Sequence, residues 1–409
     1  MQNFIRTLCS ISFFVLALTG CTAMTPLGNP EAPYNPPRQP EVGDILHLPT
    51  GTYLTRDQLD ILVTDNRIVY VGETHDNLSS HRWQLEVLRA LSDEFPGEIA
   101  LGMEMFTPEQ QDALHRWTAG ELNEKEFLKS AEWQKVWRMD FAYYRELMEF
   151  ARDRNIPVLG LNAPKELVKA VGMTKPEDLP EEQRDKLPEL DLDDPYQSAM
   201  VEAIYGGHES GSAMLDGFHR VQTLWDESMA ENIVNYLTSP AGANKKLVVV
   251  AGGNHIRNGF GIPRRVFRRL PTSYLLVGTQ ELSIPENRQD RVMDVHVPRF
   301  PMPAYDVMIF TEYEDLPDKV KLGVMLEEKD GIVTVIKVIP GSTAEDAGIE
   351  DGDQITAIDG EPVKEMFDLV YAIQQKTVGD SARLKIVRAG ETFDETAIFK
   401  PLPEGDPHK

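Results

Sequence analysis

The stretch Ile68-Val69-Tyr70-Val71-Gly72-Glu73-Thr74-His75 decides the fold of most of this chain. Four successive apolar residues without polar alternation read as a strand buried on both faces, as in a parallel sheet covered by helices. A helical pattern over 80–94 (SHRWQLEVLRALSDE) follows at once, and the same grammar then repeats. Strands are predicted at 99–103, 157–161, 247–251, 273–278 and 305–311, with helices over 141–153 and 221–237 between them. From residue 42 to about 316 the chain therefore reads as an α/β domain, a mainly parallel sheet flanked by helices.

Each strand runs into a polar turn. The first ends in Gly72-Glu73-Thr74-His75, the second in Gly102-Met103-Glu104-Met105-Phe106, the third in Asn162-Ala163-Pro164, and the fourth in Gly252-Gly253-Asn254-His255. Ligands of parallel α/β sheets bind outside the carboxyl ends of the strands, so these groups share one rim. Two G-x-x-H tetrads bring His75 and His255 there beside Glu73 and Glu104. Such a set can ligate a divalent metal ion or work as an acid–base pair. Arg257, Arg264, Arg265, Arg268 and Arg269 follow His255. A helix over 263–270 would put Arg264 with Arg268, and Arg265 with Arg269, on shared faces suited to an anionic group.

The segments IVYVGETHDN, IALGMEMF, PVLGLNAPKELV, VQTLWDESMAENI and VVVAGGNHIRNGFGIP, in this order, resemble the ChaN-like haem-binding uptake domain of the Tiki superfamily. The resemblance implies haem binding connected to bacterial iron acquisition. Haem requires an iron ligand, an apolar slot and cations for its propionates. The resemblance points to Tyr144 in DFAYYRELM as ligand, with Tyr143 adjacent. His75 and His255 stand on the rim, and charge placement independently offers the cluster with Arg257 and Arg264 to propionates, an acidic substrate or anionic lipid headgroups. Tyr205 is a weaker ligand candidate, His219 reads as a solvated loop residue, and 206–212 (GGHESGS) as a mobile loop over the site. Wider Tiki relatives include metal-dependent peptidases and esterase-like hydrolases. The alternative is therefore a hydrolase using His75, Glu104 and His255, with Glu73, His75, Glu104 and His255 as the metal set. Trp117, Trp133 and Trp137 read as packing residues, at least one of Met103 and Met105 as core, and the acidic segment 188–195 as an exposed loop.

After an acidic connector (312–319) the pattern changes to short strands with glycine turns. Residues 331–363 (GIVTVIKVIPGSTAEDAGIEDGDQITAIDGEPV) resemble a PDZ domain, a small β-rich unit. That resemblance implies a peptide carboxylate held near Leu322, Gly323 and Val324, and a groove wall from a helix over 364–375 carrying Phe367 and Val370. The implied partner is an envelope protein or a C-terminal peptide. No Ser-His-Asp pattern accompanies this unit.

The 409 residues carry a net charge of −25, which disfavours nucleic acid as a partner, and the mean hydropathy of −0.33 excludes a multi-span membrane protein. The two cysteines, Cys9 and Cys21, exclude a disulfide framework. Residues 8–18 form an apolar core too short to span a bilayer, and Leu18-Thr19-Gly20-Cys21 resembles a bacterial lipobox. The expected layout is a lipoprotein signal peptide (1–20), a proline-rich linker (21–41), the ChaN-like domain (42–316), the PDZ domain (317–402) and a tail (403–409). Lipidation at Cys21 implies an exported, membrane-anchored protein, and Thr22 in place of Asp implies the outer membrane. A homodimer is left open by the sequence.

Overall fold

The computed structural model describes residues 34–205, 212–286, 288 and 298–401. The signal segment, Cys21, the first part of the linker, the 206–211 loop and the 403–409 tail lie outside the described residues.

The larger unit is an eight-stranded sheet. Its strands are β1 (Ile45–His47), β2 (Thr52–Leu54), β3 (Ile68–Glu73), β4 (Ile99–Met103), β5 (Val158–Gly160), β6 (Lys246–Gly252), β7 (Tyr274–Glu281) and β8 (Val307–Thr311). The order is β2-β1-β8-β7-β3-β6-β4-β5, parallel from β8 to β5, with the β1–β2 hairpin added antiparallel at one edge. The expected α/β sheet is thus present, and the hairpin is an element that sequence periodicity did not reveal.

Alternate residues of the central strands feed two cores. Val69, Val71, Leu101, Val248 and Val250 pack on one side with the helix Leu78–Glu94, while Ile68, Tyr70, Leu247 and Val249 pack on the other with the helix Ser212–Thr238. Both faces are therefore dry, which explains the unbroken apolar runs. Because β6 lies between β3 and β4, the register sets Glu73 opposite Gly252 and Met103 opposite Val250. Three strand ends meet at one point as a result.

Two local expectations change. The helix predicted over 141–153 breaks at Tyr144: a 3-10 turn Phe141–Tyr143, capped by Asp140 onto the Ala142 N–H, precedes the helix Arg145–Asp153. The described end of the proline-rich linker is not a free spacer. Arg38 pairs with Asp44 at 2.5 Å and its carbonyl accepts from the Tyr53 hydroxyl at 3.0 Å, so this segment is held on the hairpin.

The smaller unit is a six-stranded antiparallel sheet with its own core, including Val333, Val335, Ile355, Leu384 and Ile386. It contains β9 (Val324–Lys329), β10 (Ile332–Val338), β11 (Gln354–Ile358), β12 (Glu361–Pro362), β13 (Ser381–Arg388) and β14 (Glu391–Ile398). In the order β14-β13-β11-β10-β9, β9 is an edge strand, and β12 pairs with β11. Among the described residues no helix is long and apolar enough to cross a membrane.

Candidate functional site

Glu73, the last residue of β3, is buried and saturated with donors. Its Oε1 accepts from the Tyr144 hydroxyl at 3.0 Å and lies 2.6 Å from His75 Nδ1. Its Oε2 accepts from Gln84 Nε2 at 2.5 Å and lies 3.4 Å from His81 Nδ1. His81 and Gln84 are three apart on the Leu78–Glu94 helix and therefore face the strand end together. Burial alone would raise the Glu73 pKa, but His81 and His75 outweigh it and keep the carboxylate ionised.

His75 is the outward member of this cluster, its side chain 40% exposed. Trp137 meets the imidazole edge-on, with centroids 5.1 Å apart. With Nδ1 committed to Glu73, the only hydrogen bond the ring makes among the described residues leaves Nε2 unpaired. Gly252 makes room for the ring, since a Cβ there would lie 3.0 Å from Nε2. The Gly252 N–H also donates to Glu104 Oε2 at 2.7 Å.

Glu104 joins the two tetrads. Its Oε1 lies 3.3 Å from His255 Nε2, and His255 Nδ1 lies 2.6 Å from Asp226 Oδ1 on the Ser212–Thr238 helix. Burial would lower the His255 pKa, but Glu104 and Asp226 raise it to about 10. Burial likewise opposes, and the bond to Glu73 then dominates, a rise of His75 to about 9. Burial would raise Glu104, yet His255 above all holds it at about 2. At neutral pH the rim is thus two imidazolium groups, each backed by a carboxylate, on either side of an ionised Glu104.

The sequence-expected residues Glu73, His75, Glu104 and His255 are brought together. Among the described residues, however, no group of three His, Cys, Asp or Glu side chains could hold a metal ion. Tyr144, the ligand expected from the resemblance, lies on the inner side of this cluster. Its side chain is fully buried, and its hydroxyl donates to Glu73 while accepting from Trp137 Nε1 at 3.0 Å. Burial and the neighbouring Glu73 raise its pKa well above the ordinary value, which opposes a phenolate ligand. Tyr143 donates to Asp315 instead. Tyr205 stacks on Phe218 at 4.6 Å, with Asp226 and Glu104 near enough to add to the effect of burial in raising its pKa. His219 bonds to Ser198 rather than standing in a solvated loop.

The basic cluster also resolves differently. Arg264 pairs with Asp191 at 2.9 Å, and Arg269 with Glu227 at 2.6 Å. Arg265 is completely buried against Glu227 at 3.1 Å, and Arg268 reaches the same carboxylate at 3.3 Å. The acidic segment read as an exposed loop supplies Asp191 and the buried Asp194 to these arginines. Arg264 is therefore not a free propionate partner. Arg257 is different: its Nε is buried without a hydrogen-bond partner, and no carboxylate pairs with it among the described residues.

Sequence reasoning missed His81, Gln84, Asp226 and Gln222, whose Nε2 lies 3.0 Å from His255 Nδ1. Trp137, expected to pack, does pack on the core while its ring also meets His75. The legible signal was polar residues at i, i+3 or i+4 on otherwise apolar helix faces, as His81 with Gln84 and Gln222 with Asp226. Trp117 and Trp133 are core, as are both Met103 and Met105.

The family described as haem-binding uptake, Tiki superfamily, ChaN matches residues 62–266, half of the chain, over the strands that carry this site. The chain belongs to the ChaN family. The C-terminal unit of this ChaN-family chain is a PDZ domain, matched over 320–396. A solved structure of ChaN from Campylobacter jejuni, described as showing cofacial haem binding, shares the fold at a TM-score of 0.51 and 16% identity, covering 65% of this chain and 95% of that one. Curated relatives match over short stretches. The carboxy-terminal processing protease CtpA of Bacillus subtilis is 39% identical over 88 residues, which is 21% of this chain and 18% of the relative. The putative serine protease HhoA of Synechocystis is 38% identical over 72 residues, 18% of each chain. The chain spans under a fifth of these relatives' length.

Proposed function

We propose that the ChaN unit binds haem as cargo for bacterial iron acquisition, held at the envelope by a lipid on Cys21, while the PDZ unit engages a partner protein. The observation that carries this reading is His75. Its Nδ1 is fixed by a buried carboxylate, and its Nε2, on a side chain 40% exposed, has no hydrogen-bond partner among the described residues. A histidine backed in this way through its second nitrogen is an oriented, electron-rich metal ligand. In this reading His75 would hold the iron, Trp137 would pack on the macrocycle and Arg257 would meet a propionate. His75 would have to give up its Nε2 proton to serve as a ligand, so haem affinity should rise with pH and level off above about 9.

Ferric haem titrated into the protein should give a saturable Soret shift that is lost in His75→Ala. A spectrum that matches haem in buffer alone would end the proposal.

The hydrolase reading draws support from the two imidazole–carboxylate dyads. Their protonation argues against it, since imidazoles with pKa values of about 9 and 10 are poor bases at neutral pH and Glu104 at about 2 is poorer still. Turnover of esters or peptides that vanishes in both His255→Gln and Glu104→Gln would reinstate it.

A further inference from the structure

The PDZ groove is not walled by the PDZ unit alone. Its helix Met366–Gln374 divides its faces. Leu369 is buried in the PDZ core, Phe367 and Tyr371 pack against the core of the ChaN unit, and Val370, Ile373 and Gln374 line a cavity of about 1250 Å³. Phe367 is therefore a docking residue and not the groove residue expected from sequence. Leu322, Gly323 and Val324 do line this cavity.

The docking is specific. Lys125 pairs with Asp368 at 2.6 Å, Lys129 pairs with Glu365, and the Tyr371 hydroxyl donates to Glu124 at 3.2 Å. The ChaN residues Arg138, Met139, Asp140 and Tyr143 line the same cavity as the PDZ helix. The free edge of β9 runs along the same cavity, where an extended peptide can add as a further strand.

Most charges around the cavity are already satisfied. Asp140 pairs with Lys319 at 3.3 Å, Arg288 with Asp315, and Lys400 with Asp346 at 2.6 Å. Arg138 is the exception. It is exposed, it stands in a left-handed conformation at φ 70°, and among the described residues it makes no side-chain hydrogen bond or ion pair. A non-glycine residue held at positive φ beside a binding cavity has a conformation that the surrounding structure imposes. Here Trp133 imposes it, its indole donating to the Met139 carbonyl at 2.7 Å and its own carbonyl accepting from the Arg138 N–H at 3.3 Å.

We infer that the ChaN unit contributes Arg138 to the PDZ groove as a specificity-determining residue, which reads a carboxylate of an apolar-ended, acidic peptide C-terminus. The inference rests on the C-terminal unit acting as a peptide-binding PDZ domain and is independent of haem. A guanidinium pairs with a carboxylate by charge-assisted hydrogen bonds, and the source is either the terminal carboxylate or an acidic side chain.

The test uses the full chain and fluorescein-labelled peptides with a run of glutamates before a C-terminal Val, Leu or Phe, compared with glutamine counterparts and with C-terminally amidated forms. Wild type should bind the glutamate peptides about tenfold more tightly than Arg138→Gln does, with Arg138→Lys between them. A difference that survives amidation but vanishes with glutamine assigns the side-chain carboxylate; the reverse assigns the terminal one. Equal affinities of wild type and Arg138→Gln for every peptide, or no binding of any peptide by wild type, overturn the inference. A ferric haem titration on the same preparation shows separately whether the haem reading stands.

Discussion

The Tyr144 hydroxyl donates across 3.0 Å to the same Glu73 oxygen that lies 2.6 Å from His75 Nδ1. The tyrosine expected to bind iron thus stands behind the histidine, one carboxylate removed from the open face. Its part is to hold Glu73, and through Glu73 to orient the imidazole. This relationship divides the effects of substitution at the three positions.

Glu73→Gln should weaken haem affinity by about 10–100-fold while leaving a Soret shift, as expected when a carboxylate behind a ligating imidazole is lost. Tyr144→Phe removes one of several donors to Glu73 and should cost roughly fivefold or less on the same reasoning. Titration of both variants alongside wild type checks the order. If Tyr144→Phe abolished the shift and Glu73→Gln left it intact, the iron would belong to tyrosine.

The stability of the haem-free protein should peak in mildly acidic solution. His255 is raised from 6.5 to about 10, so its contribution is complete below pH 6.5 and is lost as pH climbs toward 10. Glu104 is lowered from 4.5 to about 2, so its contribution is complete above pH 4.5 and is lost as pH falls toward 2. Melting temperatures from pH 3 to 10 should therefore be highest at roughly 4.5–6.5. The alkaline decline should be shallower in His255→Gln, and an unchanged slope would contradict the assignment.

The arginines after His255 should separate into two classes. Arg265→Met takes the fully buried guanidinium from Glu227, which keeps Arg268 and Arg269, so the loss should fall at or below the lower end of the roughly 3–5 kcal/mol that breaking a buried pair costs. Urea unfolding should register that loss. Arg257→Gln breaks no ion pair among the described residues and should change stability by under ~1 kcal/mol, yet weaken haem binding several-fold. Equal stability losses in the two variants would place Arg257 in the structural network as well.

Gly278→Ala should destabilise the ChaN unit by about 1–3 kcal/mol, the usual cost of overpacking. A Cβ there would meet the Tyr305 ring at 2.5 Å, and Tyr305 also lies against Gly72 and Gly253. Three strand-end glycines thus make space for one aromatic ring. A second substitution, Tyr305→Leu, should recover part of the loss by yielding that space.

Cys21→Ser should leave the protein unlipidated and absent from the membrane fraction, because one acyl-bearing thiol is the proposed anchor. Fractionation of cells that express each form reads this directly. Unchanged membrane recovery of the variant would remove the lipid from the proposal.

The sequence by itself determined the α/β sheet, the PDZ unit and the meeting of His75, Glu104 and His255. Buried parallel strands must be written as unbroken apolar runs, and a parallel sheet brings the residues just after those runs to one edge. Tertiary structure decided which of the converging groups is free. Whether Tyr144 reaches solvent depends on a backbone break between Tyr143 and Arg145 that turns its ring toward Glu73, and apolar periodicity does not encode that break. Four of the five arginines are neutralised by Asp191, Asp194 and Glu227, carboxylates brought in from distant parts of the chain, so local charge density misjudged their availability. Arg138, unremarkable in sequence, gains its position only because Phe367 and Tyr371 dock the second unit against the first. Periodicity records which face of an element is dry; the partners of a charge are set by contacts between elements far apart in the chain.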